Sequence, residues 1–387
     1  MTMEKEIVSS MALGKIFGFE PRIALAMIEN LGSASAVFDL SPSSRDDLLP
    51  PYSKHRGKMG DECLQMAHED YVKLSHHQAY FLPYTASSYP LALKEIADPP
   101  VGLYVRSSSS PEELFASSNV LCAVVGTRKA TPYGQDMCRQ LLEAMAQVEP
   151  PPVIVSGLAY GVDICAHRQA LQCRMPTLGV MASGIDAVYP YRHQREAEQM
   201  VETPGCALVS DYPLHTSPVA LNFVRRNRII AGLSHHTVLI ESKVKGGGMI
   251  TARLAFDYGR ELYALPGRVS DPCSQGCNYL IAKKMAEPIW DVAQTLSTMG
   301  LSLSSTSCDP VSEQKKVQRI YEEKLPSSDL SLASQLLLAV RSEPGIYLSE
   351  LSQKLSCPEV KLMNLATMLE ADGLIEVDIL KRCRIRS

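Results

Sequence analysis

The strongest constraint on the fold is an alternation, from Leu121 to about Ile289, of short apolar runs with amphipathic segments of helical length. The runs are continuously apolar, which is typical of strands buried on both faces of a sheet. We predict six strands, at residues 121–125, 153–156, 177–182, 207–210, 236–241 and 261–266. Helices are predicted to begin near Gly134, Gly161, Arg192, Asn222 and Met249. The pattern therefore predicts an α/β fold with a Rossmann-like, doubly wound, mostly parallel sheet.

The flanking regions have other patterns, and the 387 residues suffice for two to three domains. Residues 1–82 show helical spacing around a Leu31-Gly32-Ser33 turn, so we predict a small helical domain, either helix-hairpin-helix-like or an ordinary packing element. The core is predicted at 83–290 and a Ser-rich, charged linker at 291–330. Three helical patterns and two strand-like runs in 331–387 predict a winged-helix domain, with a helical cap as the alternative.

Composition excludes several classes of protein. The fractions of hydrophobic residues (45%) and charged residues (21%) are those of a globular chain. No apolar stretch approaches the length of a membrane span, and MTMEKEIVSS lacks the basic start of a secretory signal, so we expect a cytoplasmic protein without a membrane partner. The eleven cysteines are scattered without a C-x-x-C pair, so we predict no metal site. We also expect no cofactor.

Charge is distributed unevenly along the chain. The formal net charge is −4, yet the segment from Arg225 to Arg268 has eight Lys and Arg against three acids, a net of +5. Such a segment can form a basic patch on an acidic protein.

The residues that follow the predicted strands share one chemistry. In a doubly wound sheet the ligand lies at the carboxyl ends of the strands, and these turns are rich in glycine, hydroxyl groups and cations. They contain Gly126, Thr127, Arg128, Ser156, Gly157, Ser183, Gly184, Lys245, Gly247 and Gly248. Glycine lets backbone N–H groups approach an anion, and helix N-termini add partial positive charge. Phosphate is therefore the predicted ligand.

The absence of two nucleotide-binding motifs limits the kinds of phosphate ligand that the turns could bind. The chain has no G-x-x-x-x-G-K-[ST], and its first turn lacks G-x-G-x-x-G, so nucleoside triphosphates and NAD are disfavoured. Arg225, Arg226 and Arg228 with Asn227, together with Arg128 and Lys245, predict several separated cations. Separated cations suit a polyanion.

Catalysis is not predicted. Asp163 and His167 lie four residues apart on a predicted helix, where a simple surface or core contact is expected. The segment lacks the paired carboxylates or the nucleophile and base that acid-base or covalent catalysis needs.

Six segments, in the order GTRKATPYG, SGLAYGVDICAH, SGIDAVYP, RRNRIIAGLS, GGGMITARLAFDYGRELYALPG and SQGCNYLI, closely resemble the DNA-processing protein A family (DprA, also called Smf). The resemblance covers about residues 89–289. It implies a non-enzymatic protein that binds single-stranded DNA, protects it and helps load the RecA recombinase in natural transformation. It also implies a homodimer formed through the core, a SAM-like or helix-hairpin-helix N-terminal domain and a C-terminal winged helix.

The resemblance also implies roles for particular residues. The family's phosphate-contacting arginine corresponds to Arg128, its serine-glycine turn to Ser156 and Gly157, and its R-N-R run to Arg226, Asn227 and Arg228. Thr127 replaces the usual serine, and Tyr191 replaces a lysine that often follows the Tyr-Pro pair. Either the charge of Arg192 or stacking by Tyr191 would compensate for that lysine.

A rival function is hydrolysis of nucleotides or nucleotide sugars, as in the lysine-decarboxylase-like phosphoribohydrolases of similar architecture. Their hallmark is a P-G-G-x-G-T-x-x-E loop that supplies a catalytic glutamate. Here the run from Gly246 to Thr251 is followed by Arg253, with no acid before Asp257. This difference argues against hydrolysis.

Overall fold

A computed structural model describes residues 3–301, 321, 326–342, 346–355, 357–372, 374–378 and 381–385. The chain divides into two compact units, Met1–Leu303 and Ser304–Ser387. None of the helices described combines the length and apolar composition needed to cross a membrane.

The first unit begins with helices, as predicted for its N-terminal region. They are α1 (Met3–Phe17), α2 (Pro21–Leu31), α3 (Ala34–Asp39), α4 (Pro42–Asp47) and α5 (Asp61–Leu74). The turn after α2 needs Gly32, whose φ of +87° lies in the left-handed region. Ser33 then caps α3 by accepting a hydrogen bond from the Ala36 N–H. Met11, Leu13 and Phe17 are fully buried among these helices.

The rest of the unit is built on a nine-stranded sheet. Its strands are β1 (Ala79–Pro83), β2 (Gly102–Arg106), β3 (Leu121–Val125), β4 (Val153–Ser156), β5 (Thr177–Val180), β6 (Ala207–Ser210), β7 (His236–Leu239), β8 (Glu261–Ala264) and β9 (Glu287–Pro288). The order is β1-β2-β6-β5-β4-β3-β7-β8-β9. Strands β3 to β9 run parallel, whereas β1 and β2 form an antiparallel edge. The predicted α/β class with a mostly parallel sheet is confirmed.

Helices cover both faces of the sheet. They are α6 (Leu91–Lys94), α7 (Pro111–Leu114), α8 (Pro132–Met145), α9 (Val162–Gln172), α10 (Gln194–Glu202), α11 (Ala220–Leu233), α12 (Gly247–Asp257), α13 (Gln275–Ala282) and α14 (Val292–Thr298). Val124 of β3 faces the core formed with α8 and α9, whereas its neighbours Ala123 and Val125 face the core formed with α11 and α12. Burial on both faces explains why the strands are continuously apolar.

The predicted boundaries of this unit need two corrections. Strand β1 crosses the predicted boundary at residue 82, and it pairs with β2 at the sheet edge. Helix α14 lies within the predicted linker 291–330, where Leu296, Met299 and Leu301 are buried against the core. Because this segment is rich in serine, the helix was not predicted, although its few apolar residues pack on the core at this face of the sheet. Most of the remaining linker lies outside the described residues.

The second unit contains α15 (Ser327–Ser342), β10 (Ile346–Tyr347), α16 (Leu348–Lys354), α17 (Glu359–Ala371), β11 (Ile375–Val377) and β12 (Arg382–Ile385). Its three strands form an antiparallel sheet in the order β10-β12-β11. Leu336, Leu351 and Leu365 are buried in a separate core. The helices and the last two strands lie where the sequence predicts them, and the winged-helix identity stays a prediction.

Candidate nucleic-acid interface

The carboxyl ends of the parallel strands bring the predicted loops to one edge of the sheet. The chain passes from β3 through β4 and β5 to β6 on one side, and from β7 through β8 to β9 on the other. The loops after β3 and β7 therefore flank the switch point, where doubly wound sheets bind their ligands. Three loops meet at the end of β3: Gly161 and Gly248 both lie against the backbone of residues 126–128. A Cβ on Gly161 would come 2.2 Å from the Thr127 carbonyl oxygen, so only glycine fits there.

The crevice at the switch point is already occupied by a side chain. Glu241, which follows β7, is 1% exposed, and its carboxylate accepts the Thr131 N–H at 2.8 Å and the Thr131 hydroxyl at 2.5 Å. Thr131 is the N-cap of α8, so the carboxylate lies at the helix N-terminus that would otherwise attract a phosphate. This arrangement gives a physical reason why a dinucleotide is disfavoured. Sequence reasoning counted Glu241 only as a charge.

A buried cation lies under the ends of β4 and β5. Arg226 of α11 is 3% exposed and donates from Nη1 to the Val180 carbonyl oxygen at 2.6 Å. Gly157 makes room for it, because a Cβ at that position would be 1.8 Å from Nη1. Asp163 of α9 supplies the opposing charge: burial raises the pKa of its carboxyl group, and Arg226 opposes that shift. Burial also lowers the pKa of Arg226 to about 10, which leaves the guanidinium charged at neutral pH.

The interpretation of Asp163 and His167 as simple contacts agrees with the geometry. His167 is fully buried, and its Nδ1 lies 2.8 Å from the Thr177 hydroxyl. Burial, with smaller contributions from Arg226 and His193, lowers the pKa of His167 to about 3. The imidazole is therefore neutral and belongs to the core.

The three arginines of α11, which the sequence predicts to contact an anion, each donate to a different part of the protein. Arg228 is 4% exposed and donates to the Asp211 carboxylate at 2.5 Å and to the Asp98 carbonyl at 2.5 Å. Arg225 turns to the N-terminal helices and donates from Nη2 to the Gly18 carbonyl at 2.6 Å. Residues on successive helix positions point in different directions: Arg226 reaches the Val180 carbonyl at the end of β5, whereas Arg228 pairs with Asp211, which directly follows β6.

The hydroxyl groups predicted to bind phosphate mostly stabilise their own loops. Ser156 and Ser183 are almost fully buried, and they donate to the carbonyl oxygens of Val124 and Ala187. Buried Gly184 donates its N–H to a carbonyl in the loop after β6. Thr127 is only partly buried, and its hydroxyl accepts the Lys129 N–H.

The remaining predicted cations lie on the surface. Arg128 is exposed, and its guanidinium lies over the Phe223 ring at 5.1 Å. Arg192 and Lys245 are also exposed, and within the described residues these three side chains have no hydrogen bond or ion pair. Exposed Gly247 and buried Gly248 form the first turn of α12, next to Lys245. Half-buried Asn227 lies one turn after Phe223 on α11.

Aromatic rings accompany these cations. Phe223 makes an edge contact with Tyr189 at 5.6 Å, and Tyr189 is 49% exposed. Tyr191, two residues further on, is 81% exposed. We call the surface formed by Arg128, Tyr189, Tyr191, Arg192 and Phe223 the rim. The sequence analysis did not single out Phe223. Its position two residues before the arginine run could have drawn attention to it.

The fold and the rim define a Rossmann-like protein that presents aromatic rings at its strand ends, together with cations that have no ion pair in the described part of the chain. The family model for DNA recombination-mediator protein A matches residues 80–300 of the chain. The chain belongs to this family, which confirms the resemblance found in the sequence.

Bacterial relatives support this assignment. Protein Smf of Escherichia coli is 39% identical over 207 residues, which cover 54% of this chain and 52% of that protein. DNA processing protein DprA of Bacillus subtilis is 35% identical over 209 residues, covering 54% of this chain and 67% of the relative. The chain thus matches about half to two thirds of the length of these relatives.

Two solved structures are similar to the fold. DNA processing protein A of Streptococcus pneumoniae has a TM-score of 0.65 and 25% identity, and the match covers 77% of this chain and 98% of that one. The protein from Helicobacter pylori has a TM-score of 0.51 and 30% identity over 58% of this chain and 97% of its own. That structure is described as showing a single-stranded DNA binding mode.

Proposed function

We propose that this protein binds single-stranded DNA at the rim, with phosphates on its exposed cations and bases stacked on its aromatic rings. The observation that carries the proposal is Arg128, whose exposed guanidinium is held over Phe223 with no carboxylate partner among the described residues. A cation without an internal partner is available to a phosphate, and aromatic platforms beside it suit unpaired bases. Family membership and the binding mode described for the Helicobacter pylori relative support this choice.

The residues around the rim have two kinds of role in this proposal. Arg192, Lys245 and the N–H groups of Gly247 and Gly248 contact phosphates directly, because they lie at loop ends or at the start of α12. Arg226 adds positive potential from below and holds the loops at Gly157 in place. Arg225, Arg228, Ser183 and Gly184 act structurally, since other parts of the protein use their polar groups.

Binding rather than catalysis follows from the state of the acidic groups at the strand ends. Asp163 is buried opposite Arg226, and both oxygens of the Glu241 carboxylate accept hydrogen bonds from Thr131. Neither carboxylate is placed to act on a substrate as a base or nucleophile. We therefore propose a DNA-processing role in recombination and transformation without an enzymatic step.

Three finer proposals rest on the family resemblance. The protein protects single strands, helps to load the RecA recombinase and acts as a homodimer formed through its sheet domain. Phosphate contacts carry no base information, so binding is expected to be steeply salt-dependent and weakly dependent on sequence.

The test is Arg128→Ala, measured by fluorescence anisotropy with labelled oligo-dT over a salt series. We expect weaker binding and a salt slope reduced by about one, as for the loss of one phosphate contact. Arg139→Ala is the matched control, because Arg139 is an exposed arginine on α8 that already has Asp136 as a partner at 3.7 Å. Equal affinity and slope in the two variants would remove Arg128 from the interface.

A further inference from the structure

The turn between α1 and α2 exposes an aromatic ring. Phe19 is 59% exposed, whereas Phe17 and Phe38 in the same helical region are 0% and 7% exposed. Phe19 is followed by Glu20 and by Pro21, the first residue of α2. Most of the phenyl ring therefore lies in solvent, where a ligand can reach it.

The ring is held in one orientation by the core. The Arg225 guanidinium lies over it at 4.0 Å from the ring centroid. The same guanidinium donates from Nη1 to the Phe19 carbonyl at 3.2 Å and from Nη2 to the Gly18 carbonyl at 2.6 Å. Arg225 therefore covers one side of the ring and fixes the turn, while most of the ring surface stays in solvent. A preorganised aromatic surface loses little conformational freedom when a ligand stacks on it.

Glu20, the only acid in this turn, is paired with residues of the same N-terminal helical region. The Glu20 carboxylate lies 2.6 Å from Nε2 of His55 and 2.9 Å from Nζ of Lys54. These hydrogen bonds lower the pKa of Glu20, so it is ionised and paired at neutral pH. A phosphate chain passing Phe19 would therefore meet no unpaired carboxylate at this turn.

Helix α11 connects this turn with the rim. Phe223, under Arg128, and Arg225, over Phe19, are two residues apart on α11 and so point to different sides of it. The surface between them exposes Leu221 (57%) and Val224 (46%). Two arginine–aromatic pairs thus border the same exposed surface of a helix that is about 10–12 Å wide with its side chains.

We infer that Phe19 is a base-stacking residue, and that the single strand continues from the rim across α11 onto the N-terminal helical region. The inference rests on the proposed function, since it names an additional contact for the same ligand. A strand of a few nucleotides would span both arginine–aromatic pairs. The N-terminal helices then extend the binding site rather than merely packing beside it.

The experiment compares Phe19→Ala, Phe19→Leu and Phe19→Trp by anisotropy with two oligo-dT probes, of about 6 and about 20 nucleotides. We expect Ala and Leu to weaken binding of the long probe about five- to hundred-fold, as for one lost base stack, and Trp to retain it. The short probe, which the rim alone can hold, should bind all variants alike. Tyr52→Ala is the control, because Tyr52 is a fully exposed aromatic in the same helical region.

Phe19→Leu separates stacking from docking of the helices, because leucine keeps the apolar contact with Arg225 but has no π-face. Wild-type affinity of Phe19→Leu for the long probe would overturn the inference. So would absence of a photo-cross-link between 5-iodouracil in the long probe and the tryptic peptide 16–22 in the wild-type protein. If Arg128→Ala weakens binding while the Phe19 variants do not, the inference fails and the proposed function stands. If Arg128→Ala also has no effect, the proposed function fails.

Discussion

Two arginines of helix α11 and two arginines of the rim all lie in or next to the segments shared with the DNA-processing protein A family, yet the two pairs differ in burial and in partners. Arg226 and Arg228 are 3% and 4% exposed; Arg228 is paired with Asp211, and the charge of Asp163 opposes the fall that burial causes in the pKa of Arg226. Arg128 and Arg192 are exposed, and neither has an ion pair within the described residues. The difference teaches that burial, rather than residue type, separates the arginines that stabilise the fold from the arginines that are available to a ligand.

The comparison also changes the meaning of the charge count. The net of +5 between Arg225 and Arg268 includes Arg228, which Asp98 and Asp211 neutralise, and Arg260, which lies 3.2 Å from Glu95. Glu95, Asp98 and Asp211 all lie outside the segment from Arg225 to Arg268. The basic surface is therefore smaller than the sequence suggests, because the fold supplies acidic partners from distant positions.

The largest expected effect comes from breaking the buried ion pair. Arg228→Met leaves the Asp211 carboxylate buried without its partner, and we expect a loss of about 3–5 kcal/mol in the free energy of unfolding, measured with urea. Arg128→Met should change it by no more than about 0.5 kcal/mol, since its side chain is exposed. Similar losses of unfolding free energy in the two variants would contradict the distinction between arginines that stabilise the fold and arginines that are available to a ligand.

The next effect tests the space reserved for Arg226. Gly157→Ala places a Cβ where Nη1 now lies, so the guanidinium must leave the Val180 carbonyl. We expect a loss of about 2–4 kcal/mol of stability from overpacking and an unsatisfied carbonyl. Gly247→Ala is the matched control, because open space surrounds that position and its stability should be nearly unchanged. A Gly157→Ala protein as stable as the control would show that Arg226 is not held as described.

The smallest effect is a pH dependence of the core beneath the interface. His167 has a pKa of about 3 in the folded protein, against 6.5 as its ordinary value. Between these values the unfolded chain binds the proton and the folded chain does not, so stability falls as pH falls below about 6.5. This group alone should cost about 2 kcal/mol at pH 5 relative to neutral pH.

The pH prediction is tested with His167→Asn, which retains a polar group near Thr177 but cannot titrate. Urea unfolding of wild type and variant at pH 7 and pH 5 should show a shallower pH dependence for the variant. Parallel pH dependences would mean that the imidazole is not kept neutral by burial.

The parts of the fold predicted correctly depend on local pattern. All six predicted strands are present, and three of them end two residues earlier than expected. Strands β1, β2 and β9 were not predicted; β1 and β2 form the antiparallel edge, and β9 has only two residues. Helix α14 was missed because a Ser-rich context hides its few buried residues.

The geometry of the candidate site was predictable to a similar degree. The turns at the strand ends and the exposed Arg128 follow from motif and topology. The filling of the crevice by Glu241 and the partners of Arg225 and Arg228 could not be read from the chain. These partners lie far along the chain: Thr131 is 110 positions from Glu241, and Gly18 is 207 positions from Arg225.

The sequence by itself determined the class of sheet, the family and the positions of the glycine-rich turns at the strand ends, because continuous apolar runs and glycine-rich motifs express local and general requirements. Only the tertiary structure decided which cations are neutralised and which remain at the surface. The physical reason is that the state of a charge depends on its solvation and on its nearest opposite charge, and folding brings both from distant parts of the chain.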